Sequence, residues 1–181
     1  MRMKKILAIG ASSSRNSINR KLAGWAASQV PEAKVDHLDL NFFEMPIYSM
    51  DREKGGGIPE LAAKFLETVR SNDGVVISMA EHNGAYTAAF KNIYDWVSRL
   101  EYRLWSDKPM FLLSTSPGAR GAATVFELAS NSFPRLGADI QARFSLPSFD
   151  DNFSEESGIV AGPLRDQFDA ELASFIKSLN K

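Results

Sequence analysis

The 181-residue chain contains no cysteine. That excludes disulfides, thiolate metal sites, cysteine-ligated iron–sulfur clusters and a cysteine nucleophile. Any redox chemistry must then come from a bound cofactor. An excess of one charge is also missing. Lys and Arg number 21 against 22 Asp and Glu, for a formal net charge of −1, so nothing favours broad nucleic-acid binding. No apolar run approaches the ~18 residues of a membrane span. The start, MRMKKILAIGASSS, has the basic residues and apolar run of a signal peptide. However, Ile6 to Ala11 is too short for the hydrophobic region of such a peptide, and serines follow at once. The run reads as a strand, and a cytoplasmic protein is the default expectation. No repeat, low-complexity tract or linker divides the chain. With 44% hydrophobic and 24% charged residues, residues 1–181 suit one domain with a substantial core.

What is present is alternation. Short apolar runs predict strands at Lys5 to Gly10, Lys34 to Leu40, Val75 to Met79, Pro109 to Ser114 and Asp139 to Phe144. Helical patterns fall between them, at Ser17 to Gln29, Pro59 to Arg70, Tyr86 to Leu100 and Ala122 to Leu136, with a last helix at Pro163 to Leu179. The long connection NFFEMPIYSMDREKGGG and the polar stretch SFDDNFSEESG read as loops. Strand and helix in alternation imply parallel strands joined by crossover helices. Five strands fit a doubly wound flavodoxin-like α/β sheet of order 2-1-3-4-5 in three layers. In such a fold, ligands bind outside the carboxyl ends of the strands at the switch point between strands one and three.

Three loops meet there. The first, after Gly10, carries Ser12, Ser13, Ser14 and Ser17, and Asn19 opens the following helix. A phosphate at this place meets free backbone N–H groups and the positive end of a helix dipole. The glycine spacings of dinucleotide folds and P-loops are both missing. The donors are mostly hydroxyls, which suit the three oxygens of a terminal phosphomonoester. A mononucleotide follows, with FMN the leading candidate. One helix cap would account for one hydroxyl, not for four and Asn19. The second loop, AEHNGAY, has an Asn83-Gly84 turn signal. Glu81, His82 and Asn83 lie where a flat ring would sit, although an exposed turn is an equal reading of this loop alone. The third, STSPGARG, offers Ser114, Ser116 and Gly118 as a close backbone path and Arg120 as a partner for the phosphate of a second nucleotide. A plain strand-to-helix connection explains it as well.

In order along the chain, the three loops resemble those of the NADPH-dependent FMN reductase family. The resemblance runs from the first strand to about Ser148. The family's first loop is close to G-S-x-R/S-x-x-S-x-N, matched by Ser12, Ser14, Ser17 and Asn19; Arg15 stands one place after the arginine many members carry, and Ala11 replaces a glycine. Its second loop resembles P-E-Y/H-N-G/S, continuing into K-N-x-x-D-W. Glu81, His82, Asn83, Gly84, Lys91, Asn92, Asp95 and Trp96 match, with Ala80 in place of proline. Its third resembles S-x-S-P-G-G-x-G-G, matched by Ser116, Pro117, Gly118 and Gly121, with Ala119 and Ala122 in place of glycines. The resemblance implies noncovalent FMN, NAD(P)H as electron donor, and a small quinone, nitro, azo or metal-oxyanion acceptor. Ser12, Ser14, Arg15, Ser17 and Asn19 would surround the phosphate. Glu81, His82, Asn83, Gly84, Ser116 and Gly118 would lie at the ring. Flavin N5 carries the chemistry, so no side chain need be a general base. A homodimer or tetramer with flavin near the subunit boundary is implied too, and neither nucleic acid nor membrane is a partner. An FMN electron carrier and a flavin-binding sensing module are the rival readings; the balanced charge speaks against the first.

Other residues read more plainly. His37, in the alternating run VDHLDL, is a strand or surface histidine. Asp150, Asp151, Glu155 and Glu156 form a solvated loop, and Phe149 and Phe153 beside them offer cover for a flat cofactor. Trp25, Trp96 and Trp105 read as packing residues. Lys91, Asn92 and Asp95 share a helix face, as a salt bridge or a subunit contact. Tyr94, Tyr102 and Leu104 exceed what one core-facing stripe uses, which points to an interface on the third helix and the loop after it.

Overall fold

The apolar run near the start of the chain becomes an interior strand of a sheet. In the computed structural model, which describes residues 2–180, strand β1 (Lys4–Gly10) is followed by helix α1 (Ile18–Ser28) and β2 (Ala33–Leu38). Then come α2 (Met50–Gly56), α3 (Glu60–Arg70), β3 (Gly74–Met79), a hairpin of β4 (Glu81–His82) and β5 (Ala85–Tyr86), and α4 (Ala88–Leu100). The chain continues with β6 (Pro109–Thr115), α5 (Ala123–Ser132), β7 (Asp139–Leu146) and α6 (Phe149–Asn152). It ends with a second small hairpin, β8 (Phe153–Ser154) with β9 (Gly158–Ile159), and α7 (Pro163–Ser178). The main sheet has the order β2-β1-β3-β6-β7, all parallel. Counting only its strands, this is the expected 2-1-3-4-5 order.

Strand alternation divides the core into two layers. Ile6, Ala8, Val76, Phe111 and Leu113 face α1 and α7, while Leu7, Ile9, Val75, Ile77 and Leu112 face α3, α4 and α5. Each helix presents the stripe this requires. In α3 it is Ala62, Phe65, Leu66 and Val69; in α1 the buried apolar residues are Leu22, Ala23, Ala26 and Ala27. The alanines of α1 let it approach the sheet closely, and Gly10 completes that approach. A Cβ on Gly10 would lie 2.4 Å from the Arg20 backbone nitrogen and 2.5 Å from its Cα.

Four readings of local structure change, the first being that the polar stretch SFDDNFSEESG, read as a loop, holds α6 and the β8–β9 hairpin. The long connection contains α2, capped by the Ser49 hydroxyl on the Arg52 N–H, with Asp51 and Glu53 in its first turn. Gly55 and Gly56 lie in its last turn, and Gly57 (φ 75°) ends it, so only the third glycine acts as a breaker. The third long helix begins at Ala88, not Tyr86, because Asn83 (φ 52°) and Gly84 (φ 75°) form a two-residue turn that pairs β4 with β5. Positive φ at both central positions is the type I′ geometry that Asn-Gly favours. Finally, α5 stops at Ser132. A 3-10 turn over Phe133–Leu136 follows, because Pro134 has no N–H to continue the α ladder.

The Gly10 contact makes a prediction. Gly10→Ala should destabilise the fold by about 1–3 kcal/mol, as overpacking against backbone does. Urea unfolding measures it, and a stability equal to that of the parent chain would show that α1 does not depend on this approach.

Candidate functional site

Beyond the carboxyl ends of β1, β3, β6 and β7, buried hydroxyl and amide groups form a continuous chain. The Thr87 hydroxyl donates to the Ala11 carbonyl (2.8 Å), and the Ala11 N–H donates to the Ser78 carbonyl (2.9 Å). Ser78 Oγ donates to Asn19 Oδ1 (2.7 Å), and Asn19 Nδ2 donates to the Thr115 carbonyl (3.3 Å). The Thr115 hydroxyl donates to the Leu146 carbonyl (2.8 Å). Nearby, Ser114 and Ser145 both donate to the Gly121 carbonyl, at 2.7 and 2.9 Å. The loops after four strands are thereby held as one platform.

The serine loop stands on this platform. Ser12 and Ser17 are buried, while Ser13, Ser14, Arg15 and Asn16 are exposed. Ser17 is the N-cap of α1 and accepts from the Arg20 N–H; Ser12 accepts from the Ser14 N–H (3.1 Å). Each hydroxyl therefore keeps its own hydrogen to donate outward. Among the described residues, the main-chain N–H groups of Ser13, Arg15 and Asn16 have no protein acceptor. Arg20 pairs with Asp39 (3.0 Å) and also donates to the Arg15 carbonyl. The Asn41 N–H, donating to the Asp39 carboxylate, holds that acid below its usual range. Arg15 itself makes no ion pair among the described residues. Beside Ser13 a cavity of about 320 Å³ opens, bounded by Asn41, Phe43, Met45, Ala88 and Ile93.

The second and third loops lie on the other side. His82 and Asn83 are exposed at the tip of the β4–β5 hairpin, and Gly84 is half-buried. Glu81 turns away from the tip and accepts from the Val125 N–H in the first turn of α5 (2.8 Å). Gly118 is exposed and Ser116 half-buried; Ser116 Oγ donates to the Gly118 carbonyl (3.2 Å). That carbonyl also accepts from the Gly121 and Ser148 N–H groups. Arg120 is exposed and donates to Thr124 Oγ1. Behind the hairpin, burial pushes the Tyr86 phenol up, opposed by its hydrogen bond with Ser132, and burial pushes Tyr94 up further.

The structure thus brings Ser12, Ser14, Arg15 and Ser17 to one rim and places His82, Asn83, Gly84, Ser116 and Gly118 on the facing loops. Asn19 and Glu81 are different. Asn19 sits beneath the first loop, with its carboxamide spent on β3 and β6. Phe149 and Phe153 do not cover the site. They stack on each other at 4.7 Å, and Phe153 meets the edge of Trp25, so both complete the α1–α7 layer of the core. The continued helix motif is structural. Asn92 donates to the Met45 and Pro46 carbonyls and accepts from the Tyr48 N–H, while Trp96 Nε1 donates to the Pro46 carbonyl (2.7 Å). Together they clamp the connection that walls the cavity. Lys91 and Asp95 form an i, i+4 ion pair at 2.6 Å. Sequence reasoning missed Ser78, Thr87, Thr115 and Ser145, and it read Ser114 as part of a ligand path where its hydroxyl holds the Gly121 carbonyl. Their signal was a hydroxyl at the polar end of an apolar run, as in GVVIS and FLLST.

The chain belongs to the NADPH-dependent FMN reductase family, whose profile matches residues 4–148. It is 34% identical over 121 residues to a 2-hydroxy-1,4-benzoquinone reductase of Burkholderia sp., covering 66% of this chain and 64% of that protein. It is 30% identical over 104 residues to a quinone reductase of Escherichia coli strain K12, covering 55% of each. The chain spans about half to two thirds of the length of the curated relatives it matches. Among solved structures it resembles FerB, a flavoenzyme NAD(P)H:(acceptor) oxidoreductase from Paracoccus denitrificans (TM-score 0.74, 21% identity, 98% of each chain). It also resembles a flavodoxin from Pseudomonas aeruginosa (TM-score 0.57, 15% identity, 98% of this chain and 99% of that one). At these identities the two structures show the shared fold.

The hydroxyl chain predicts a division between neighbours. Asn19→Ala leaves the Ser78 hydroxyl and the Thr115 carbonyl without partners and should cost about 2–4 kcal/mol of stability. Ser14→Ala, at an exposed position, should stay within about 0.5 kcal/mol of the parent. Urea unfolding of the flavin-free protein measures both, and equal stabilities would remove Asn19 from the platform.

Proposed function

We propose that this chain binds FMN across the three loops and uses NAD(P)H to reduce a small acceptor of the quinone class. The observation that carries the reading is the first loop. Two buried hydroxyls with free hydrogens, three unpartnered main-chain N–H groups and the unpaired Arg15 all stand at the N-terminus of α1. An anion with three terminal oxygens fits that donor set. A lone cap would not leave so many donors unused.

FMN, when bound, would supply the redox chemistry, accepting a hydride from reduced nicotinamide and passing electrons to the acceptor. The residues of the chain supply the rest. Ser12, Ser14, Arg15 and Ser17 would hold the phosphate, with Asn19 fixing the loop from below. The hairpin tip, His82 to Gly84, and the Ser116–Gly118 path would flank the ring and offer polar groups to its pyrimidine edge. Of the acceptors the family resemblance allows, quinones are favoured by the relatives' activities; nitro, azo and metal-oxyanion compounds are further candidates. The cytoplasm, which supplies reduced nicotinamide, is the compartment proposed for the reaction.

A homodimer is part of the proposal, but its surface shifts. Tyr94, Leu104 and Trp105 are buried within the chain, whereas Leu100 and Tyr102 are 42% and 63% exposed. Phe42, Ile47 and Met50 join them on the exposed surface of the β2–α3 connection. That connection packs on α4, so these residues supply an apolar face of the kind a C2 partner covers.

Titration of the flavin-free protein with FMN and with riboflavin tests the phosphate assignment. FMN should bind at least about tenfold tighter, equivalent to 1.4 kcal/mol, and Ser12→Ala or Ser17→Ala should each cost about 1–3 kcal/mol of FMN binding. The loaded protein should oxidise NADPH when benzoquinone is present. Equal affinity for the two flavins would sink the phosphate site, and FMN binding without NADPH oxidation would leave an electron carrier. Sedimentation equilibrium should give a dimer at micromolar concentration, and Ile47→Lys with Met50→Lys should shift it to monomer.

A further inference from the structure

Helix α5 begins without a cap of its own. Ala122, at its N-cap position, lies in the left-handed region (φ 62°) and supplies no side-chain acceptor. One of the first-turn donors is met instead by Glu81, 44 positions earlier in the chain, through its carboxylate on the Val125 N–H at 2.8 Å. The hairpin carrying Glu81 is fixed at the far end of α5 as well. The Tyr86 hydroxyl bonds Ser132 Oγ at 2.6 Å, and the Tyr86 ring stacks on Phe133 with centroids 6.0 Å apart. Between these anchors, the turn passes beside Thr124, whose Cγ2 lies 3.7 Å from where a Cβ of Gly84 would stand. The hairpin therefore lies along α5. The same helix starts where the Ser116–Gly121 loop ends, and Ser114 and Ser145 pin that loop through the Gly121 carbonyl.

The geometry points to Glu81 as a positioning residue that locks the second loop to the third through the N-terminus of α5. Its carboxylate meets an otherwise orphaned donor and the positive end of the helix dipole. Only a side-chain acceptor with the reach of Glu or Gln makes this contact from β4. The tip residues His82, Asn83 and Gly84 thereby keep a fixed spacing from Ser116 and Gly118. The two walls proposed for the flavin ring move as one body. The consequence for flavin rests on the function proposed above; the tie itself does not.

Two measurements separate these levels. The first uses flavin-free protein and amide hydrogen exchange. Glu81→Ala should speed exchange at Val125 and across residues 82–85 by about tenfold or more, as loss of a local 1.4 kcal/mol contact does. Strand β6 should keep its protection. Glu81→Gln, which retains an acceptor, should stay near the parent. Glu81→Asp, which keeps the charge but loses reach, should behave as Ala and serves if the Ala variant folds poorly. The second uses FMN and riboflavin. Glu81→Ala should weaken both by a similar factor, about tenfold, because the phosphate loop is untouched, and Gln should restore both. Unchanged exchange at Val125 in the Ala and Asp variants would overturn the tie. Flavin binding lost equally in Gln and Ala would overturn it too, showing a carboxylate that meets the ligand directly. The expected exchange pattern in a protein that takes no flavin would support the tie and overturn the flavin reading alone.

Discussion

Parallel strands that end together leave their last carbonyls and first loop amides at one edge, half out of the core. An edge that must also bind a ligand cannot leave those groups to flexible solvent contacts. Here the problem is met by hydroxyls: Thr87, Ser78, Asn19 and Thr115 form one buried chain of hydrogen bonds from the loop after β1 to the end of β7. A buried polar group left unpaired costs more than a pair contributes. The chain therefore resists partial disruption, and loops that are far apart in sequence share one rigid base.

On that base the polar groups divide into two sets. The inner set is fully engaged within the protein. The outer set, at Ser12 to Ser17 and at the two facing loops, retains donors directed to solvent. Ser12 and Ser17 belong to both, accepting inward and free to donate outward. A site built in this way needs little reorganisation when an anion arrives. The clamp of Asn92 and Trp96 on the Met45–Tyr48 segment extends the same logic to the cavity wall. Residues of a sequence motif that suggested a ligand or partner role thus hold the frame in which the ligand would sit.

The sheet was legible because its signals are local. Each strand is an apolar run of the right length, each long helix carries a periodic stripe, and the order follows from alternation. The expected loop positions followed from the order. What was hidden was partnership across the sequence. Asn19 reads as a loop donor because it follows four serines, but its carboxamide faces Ser78 and Thr115, 59 and 96 residues away. Glu81 reads as a ring neighbour because it stands beside His82 and Asn83 in the second loop, yet its acceptor role lies at Val125. Phe149 and Phe153 read as cover for a cofactor because they are aromatic residues in a polar loop after the last strand; only the fold shows Trp25 and α7 beneath them. The helix α2 was hidden behind three consecutive glycines. Its capping serine and first-turn acids were visible, but no residue of α2 is buried, so no apolar stripe announced it.

The chemistry of the site follows the same division between holding and reacting. A chain without cysteine has no redox side chain of the thiol kind, and its tyrosines near the site are withheld. Tyr86 and Tyr94 lie behind the hairpin, where burial raises both phenols and keeps them neutral. They pack with Phe90 and Phe133, face to face in two ring pairs and edge-on or tilted in the others, as the support of the β4–β5 turn. The groups left at the rim are hydroxyls, amides, an exposed histidine and two arginines, Arg15 and Arg120, neither of which forms an ion pair among the described residues. Such a set binds and orients, and it does little to a substrate by itself. Evolution of a different acceptor on this frame would then need changes only at the exposed tips, His82 to Gly84 and Ser116 to Arg120. The hydroxyl chain, the Glu81 tie and the Asn92–Trp96 clamp would stay as they are. Rigidity beneath and variability above are compatible because the platform's side chains are engaged within the protein, away from the exposed tips.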